Sequence, residues 1–249
     1  MAEVRHLANA PIAEALLDFR VKPRDDLDPT NFESLKGMVG DRYVRSRRLY
    51  HVWPSVTYPQ HASKHVPEDG ASVRGIVFED ESSQWVAQFR DEGFTFNMLR
   101  PYSRWEELEG EAKRLWAIYT EVARPLSVVR VGTRFINHVA VPLDEDITEY
   151  LTAPPQIPGD LPQDTAFFLS TVVFTSNKLT AVLTQHLFRV DPDSMSLTVL
   201  IDVDVFREFD HVSLSELDGG LQELFSELRH LKNRAFFQSV TEQALKPYE

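Results

Sequence analysis

The 249-residue chain has no cysteine, which excludes disulfides, thiolate metal sites and cysteine nucleophiles. Glycine is sparse: ten residues, none in G-x-G-x-x-G or G-x-x-x-x-G-K spacing, so phosphate loops built on those motifs are absent. G-x-S-x-G is missing, and the nucleophile elbow with it. No window approaches the ~20 apolar residues of a membrane span. The opening MAEVRHLANAPIAEALL lacks a basic segment followed by an apolar run. A cytoplasmic chain without membrane contact is the expectation. Positive charge is also short, with 26 Lys+Arg against 38 Asp+Glu and a net charge of −12. Residues 1–125 carry 17 basic and 20 acidic side chains, and residues 126–249 carry 9 and 18. Such a balance disfavours nucleic-acid and anionic-membrane partners, above all for the second half. Arg42, Arg45, Arg47 and Arg48, interleaved with Tyr43 and Tyr50, are the local exception. They suit either phosphate contact with base stacking or an edge strand guarded by charge.

What remains is ordinary globular material, 43% apolar and 11% aromatic. Ala15–Val21 alternates apolar and polar residues, the pattern of a strand with one polar face. Asp28-Pro29 supplies a cap and first-turn proline for a helix carrying Phe32, Leu35 and Val39. Strands are predicted over Arg48–Trp53 and Val73–Glu79. Gln84–Arg90 and Phe94–Met98 form a hairpin around Asp91-Glu92-Gly93. Ser103 and Glu106 read as a capping box. The long helix behind it buries Trp105, Leu108, Ala112, Leu115, Tyr119 and Val122. The order then recurs: a strand over Val128–Val141, a short helix at Ile147–Leu151, and strands at Thr165–Phe174, Leu179–Phe188 and Leu197–Phe206. A second capping box, Ser213 and Glu216, opens a last helix with Leu217, Leu221, Leu224, Leu228, Leu231 and Ala235 inward. Pro54–Gly70 and the proline-dense residues 152–164 read as loops. The predicted fold is α+β: a strand–helix–antiparallel strands–long helix unit in residues 1–125, duplicated in 126–249. Its strands form one large curved sheet or a partly closed barrel, with helices on one face.

Period-two alternation assigns Leu17 and Phe19; Trp85, Ala87 and Phe89; Phe94, Phe96 and Met98; Val129, Val131 and Phe135; and Leu197, Val199, Ile201 and Val203 to the helix side. The opposite face collects Glu14, Asp18, Arg20, Arg90, Arg130, Arg134, His138, His186, Asp202 and Asp204. Arginine forks suit phosphate or carboxylate. Arg20, Arg90, Arg130, Arg134 and His138 are therefore candidates for binding an anionic small molecule or a partner segment, with Asn137 bracing the strand from the other side. The alternative is a Mg²⁺-dependent phosphohydrolase with Glu14, Asp202 and Asp204 on the metal. A plain solvated face with cross-strand ion pairs accounts for the same residues. His61 and His65, followed by Glu68 and Asp69, have helical metal-pair spacing but sit between Pro59 and Pro67. Trp53, Trp85, Trp105 and Trp116 read as core. Phe236 and Phe237 are adjacent and cannot share one narrow stripe, so one is a candidate homo-oligomer contact.

Three segments, NAPIAEALLDFRV, VVRVGTRFINHV and LKNRAFFQSVTEQ, resemble a sporadically distributed family of uncharacterised prokaryotic proteins of similar length. The resemblance rests on Asn9 and Pro11, on Arg134 to Asn137, and on Asn233 with Phe236. It implies a free-standing prokaryotic protein and assigns no activity and no catalytic residue. A weaker likeness is to barrel-shaped triphosphate-processing enzymes, but their Glu-x-Glu-x-Lys strand is missing here, where Glu14 is followed by Leu16 and Asp18.

Overall fold

The structure is a computed structural model that describes residues 5, 7–50, 72–161, 167–191, 193 and 195–249. Trp53, His61, His65, Glu68 and Asp69 lie outside the described residues. Nine strands form one antiparallel sheet: β1 (Ile12–Lys22), β2 (Arg45–Tyr50), β3 (Val73–Glu79), β4 (Trp85–Arg90), β5 (Gly93–Leu99), β6 (Ser127–Pro142), β7 (Leu169–Ser176), β8 (Leu179–Asp191) and β9 (Ser196–Val212). Two long helices, α1 (Trp105–Ala123) and α2 (Leu214–Ser239), and a terminal turn of helix, α3 (Glu242–Leu245), complete it.

Strand order is β2-β3-β4-β5-β1-β6-β9-β8-β7. The sheet is open, ending in β2 and β7, so the partly closed barrel is corrected to an open α+β sheet. The first strand of each half, β1 and β6, meets the other at the central seam. Each is flanked outward by the strand that precedes its long helix, β5 or β9. One core runs through both halves.

The residues dictate these elements locally. Gly93 follows the Asp91-Glu92 turn with φ +154°, and a Cβ there would lie 2.1 Å from the Phe19 carbonyl oxygen. Only glycine fits so close an approach. Ser213 and Glu216 close the capping box of α2 as the spacing predicts, and Gly219-Gly220 leave that helix unbroken. Ser103 and Glu106 do not form one. Arg104 occupies the cap position without a side-chain bond, and the Ser103 hydroxyl donates to Glu107 instead, 2.7 Å. The Asp28-capped segment, Pro29–Gly37, is a 3-10 helix rather than an α-helix, with Phe32 and Leu35 buried.

Phe19 on β1 is fully buried, stacked on Trp116 of α1 at 4.2 Å and edge-on to Phe225 of α2 at 6.0 Å. Both long helices therefore cover the same face, the one alternation assigned to them. Val129 is the exception. A β-bulge opposite β1, where Arg20 pairs with Arg130 but Val21 with Val128, puts an extra residue in β6 and flips parity on its N-terminal side; opposite β9 the register shifts at the same place, with the extra residues in β9. Val128 is the buried residue, while Val129 lies beside Arg20 and Arg130 in a surface depression.

The basic cluster at the β2 edge is internally engaged. Arg42 lies 3.8 Å over the Trp85 ring, Arg47 pairs with Glu79 at 3.1 Å and Arg48 with Glu33 at 2.7 Å. Arg45 donates to the carbonyls of Asp80 and Glu81. This is the charge-guarded edge strand, one of the two readings of that cluster. No helix among the described residues is long and apolar enough to cross a membrane. Phe19→Ala should remove about 3–5 kcal/mol of stability, read as a lower urea midpoint at unchanged m-value.

Candidate functional site

Two concentrations of charge flank the β1–β6 seam, one on each face of the sheet. On the open face Asp18 is the hub. Its carboxylate accepts from Arg130 Nη1 at 2.7 Å, Arg90 Nη2 at 3.1 Å, Arg20 Nε at 3.2 Å and the Thr95 hydroxyl at 2.7 Å. Arg130 continues to Asp204, 2.9 Å, and packs 4.2 Å over the Phe206 ring. Arg134 makes a bidentate pair with Asp202, at 2.9 and 2.5 Å. Burial by itself pushes the Asp18 carboxyl up, but the Thr95 hydroxyl and the Arg130, Arg90 and Arg20 guanidiniums outweigh it and hold the group below the ordinary carboxylate range. Asp204 goes the other way: its desolvation exceeds the pull of Arg130 and Arg134.

The open face thus gathers the predicted Arg20, Arg90, Arg130 and Arg134, but as ion pairs rather than as free cations. An incoming anion would first have to displace Asp18, Asp202 or Asp204. His138 stands apart from them, eight residues and about 26 Å along β6 from Arg130. It stacks on Phe188 at 4.9 Å, and burial lowers its pKa. The proposed metal set does not assemble either. Glu14 accepts from Asn97, while Asp202 and Asp204 are held by arginines. No group of three or more His, Asp or Glu among the described residues is placed to hold a metal ion.

The second concentration lies under the helices and was not read from the sequence. Arg229, Lys232, Asn233 and Phe236 follow i, i+3, i+4, i+7 spacing and so share one face of α2. They close a cavity of about 160 Å³ with Pro11 and Ile12 at the start of β1, Tyr102–Glu106 at the start of α1, and Phe135 and Asn137 on β6. The Asn137 side-chain amide donates to the Ile201 carbonyl at 3.0 Å, which fixes it from the helix side as expected.

Lys232 is 8% exposed, and its Nζ lies 3.6 Å from the centroid of the Phe135 ring. No carboxylate pairs with it among the described residues. The neighbouring cations are engaged: Arg229 with Glu106 at 2.9 Å, Arg104 with Glu107 at 2.9 Å, and Arg5 with Glu242 and Glu249 at 2.7 and 2.6 Å. Burial, with a smaller contribution from Arg229, lowers the Lys232 pKa from 10.5 to about 7. Burial also raises the Tyr102 hydroxyl, which stays protonated. A buried ammonium packed on an aromatic ring, without an ion-pair partner, is the arrangement in which lysine becomes a neutral-pH base or nucleophile.

Phe236 is 7% exposed and Phe237 is half-buried beneath Arg5, whose guanidinium carbon lies 5.9 Å from its ring. Both line the cavity, Phe236 buried and Phe237 partly exposed. The sequence signal for Lys232 was its position: Phe225, Lys232 and Ser239 recur every seven residues inside the buried stripe of α2. No protein-family model matches the chain, and no curated protein matches it.

Two stability measurements separate these charges. Asp18→Asn strands Arg90, leaves Arg130 to Asp204 alone, and should cost about 3–5 kcal/mol. Lys232→Met should stabilise by about 1–3 kcal/mol near pH 7. Between pH 7 and 10.5 the unfolded chain binds the Lys232 proton and the folded chain does not. Wild-type stability from this group therefore rises with pH across that window, and the advantage of Lys232→Met shrinks toward zero by pH 10.5. Paired urea titrations at pH 6, 8 and 10 read the difference.

Proposed function

We propose that the protein is a binding protein for a small anionic molecule, and that the molecule sits in the cavity beneath α2 rather than on the open face of the sheet. The observation that carries this reading is the Lys232 ammonium, buried against Phe135 without a carboxylate partner. Burying a charge without its partner is costly, and an anion arriving beside Nζ supplies what the fold leaves out. Arg5, Arg104 and Arg229 line the same cavity, each already paired with a carboxylate (Glu242 and Glu249, Glu107, and Glu106), which leaves Lys232 as the lining cation without an ion-pair partner among the described residues. The volume suits a metabolite of few heavy atoms rather than a drug-sized ligand.

The three segments on which the family resemblance rests also meet here, through Pro11, Phe135, Asn137, Asn233 and Phe236. The mirrored order of strands about the β1–β6 seam supports, in the same spirit, a duplicated unit. Phosphohydrolysis on the open face draws less support, since Asp202 and Asp204 are arginine-paired; of the two rings considered for assembly, Phe236 is buried and Phe237 keeps part of its surface exposed.

Thermal-shift titration with acetate, phosphate and pyruvate tests the reading. At least one anion should raise Tm in the wild type, and Lys232→Met should abolish the rise. The pair Arg130→Gln with Arg134→Gln should retain it. The reverse pattern would move the site back to the open face. Because anion binding favours the charged amine, affinity should weaken above pH 7 by up to about tenfold per pH unit.

A further inference from the structure

We infer that Lys232 holds its ligand covalently, as an imine, and that the ligand class is a small oxo acid. The inference rests on the anion-binding reading and adds to it the carbonyl group. Four observations carry it.

The amine is sheltered but reachable. Lys232 is 8% exposed, packed on the Phe135 ring, and lines the cavity. It also has no ion-pair partner: none of the described carboxylates serves Nζ, whose contact is the face of the Phe135 ring. A cation lies one turn away on the same helix face, where Arg229 opposes protonation of Lys232 and offers a fork for a carboxylate. Finally, the cavity is of metabolite size. The charged and titratable groups around the amine come from every packed element: Arg5 from the N-terminal segment, Tyr102, Arg104 and Glu106 from the start of α1, and Arg229 from α2. Phe135 and Asn137 of β6 contribute none. At neutral pH a substantial share of the amine is therefore uncharged and nucleophilic, as ordinary lysines are not.

The step balances without a redox partner. The Nζ lone pair attacks the carbonyl carbon, the C=O π pair moves to oxygen, and one amine proton transfers to that oxygen, giving a carbinolamine. Loss of the second N–H proton and the hydroxyl as water leaves C=N. One amine and one carbonyl become one imine and one water, reversibly. The ligand carboxylate lies toward Arg229, and Glu106, which lines the cavity and is hydrogen-bonded to Arg229, is the cavity carboxylate available for the dehydration.

The test uses the full chain with pyruvate as the probe and sodium cyanoborohydride as trap, followed by intact mass and peptide mapping. The chain has seven lysines, so the map is short. One reduced adduct should form, at Lys232, at least about tenfold faster than at any other lysine. Its rate should climb from pH 5 to about pH 7 and then level off, following the neutral amine. Lys232→Arg should form no adduct at that position. An adduct spread evenly over exposed lysines, with pyruvate and acetate still raising Tm, would overturn the imine and leave anion binding in place. No adduct at Lys232 and no stabilisation by any anion would overturn both. Trapping at Lys232 without stabilisation by acetate or phosphate would support the imine and show that the carbonyl, not the charge, carries the affinity.

Discussion

A buried charge must find a partner, lose its proton or destabilise the fold, and the two faces of the β1–β6 seam resolve that constraint in opposite ways. Asp18 is surrounded by three guanidinium groups and a hydroxyl, and stays ionised. Lys232, on the other side of the same strands, meets a phenyl ring and a second cation, and its proton is held weakly. The first arrangement is that of a structural network, in which Asp18 is answered by three arginines while Arg90 Nε stays buried without a partner. The second is incomplete as it stands, and incompleteness of this kind is where a ligand contributes most.

Neither arrangement belongs to a single segment. The cavity is closed by the residues before β1, the turn into α1, one stretch of β6 and the last turns of α2. These are the beginning, middle and end of the chain, joined because β1 and β6 pair at the centre of the sheet. Asn137 shows how the site is fixed. It sits on the buried face of β6 between Phe135 and Val139, spends its amide on the Ile201 carbonyl, and so stiffens the strand that carries the Phe135 ring. A cavity built this way forms only when both halves have folded together.

Much of the fold is legible in the sequence because alternation is local. The parity of Leu17 and Phe19, or of Phe94 and Phe96, is set by the pleat alone, and the structure places them under the helices. The same parity put Arg90, Arg130 and Asp202 on the opposite face. What it does not carry is partnership. Parity tells which way Arg134 points but not that Asp202 already occupies its fork, since that depends on cross-strand register. Val129 was misassigned because a bulge breaks the period, and no residue type there announces it. Ser103 and Glu106 have capping-box spacing, yet the helix starts two residues after the serine. Lys232 escaped notice for a different reason. A stripe is read from its apolar members, and a cation inside it is passed over as the edge of the polar face. The lesson is specific: a lysine seven residues from Phe225 and four from Phe236 belongs to the buried side of α2.

The central claim is that the Lys232 amine gives up its proton near neutrality, far below an ordinary lysine. Carbon-13 NMR of the lysine ε-methylenes across pH 5–11 tests it directly, with Lys232→Met assigning the resonance. The account predicts one lysine titrating at about pH 7, well separated from the rest. A Lys232 resonance titrating with the others at their ordinary value would contradict it.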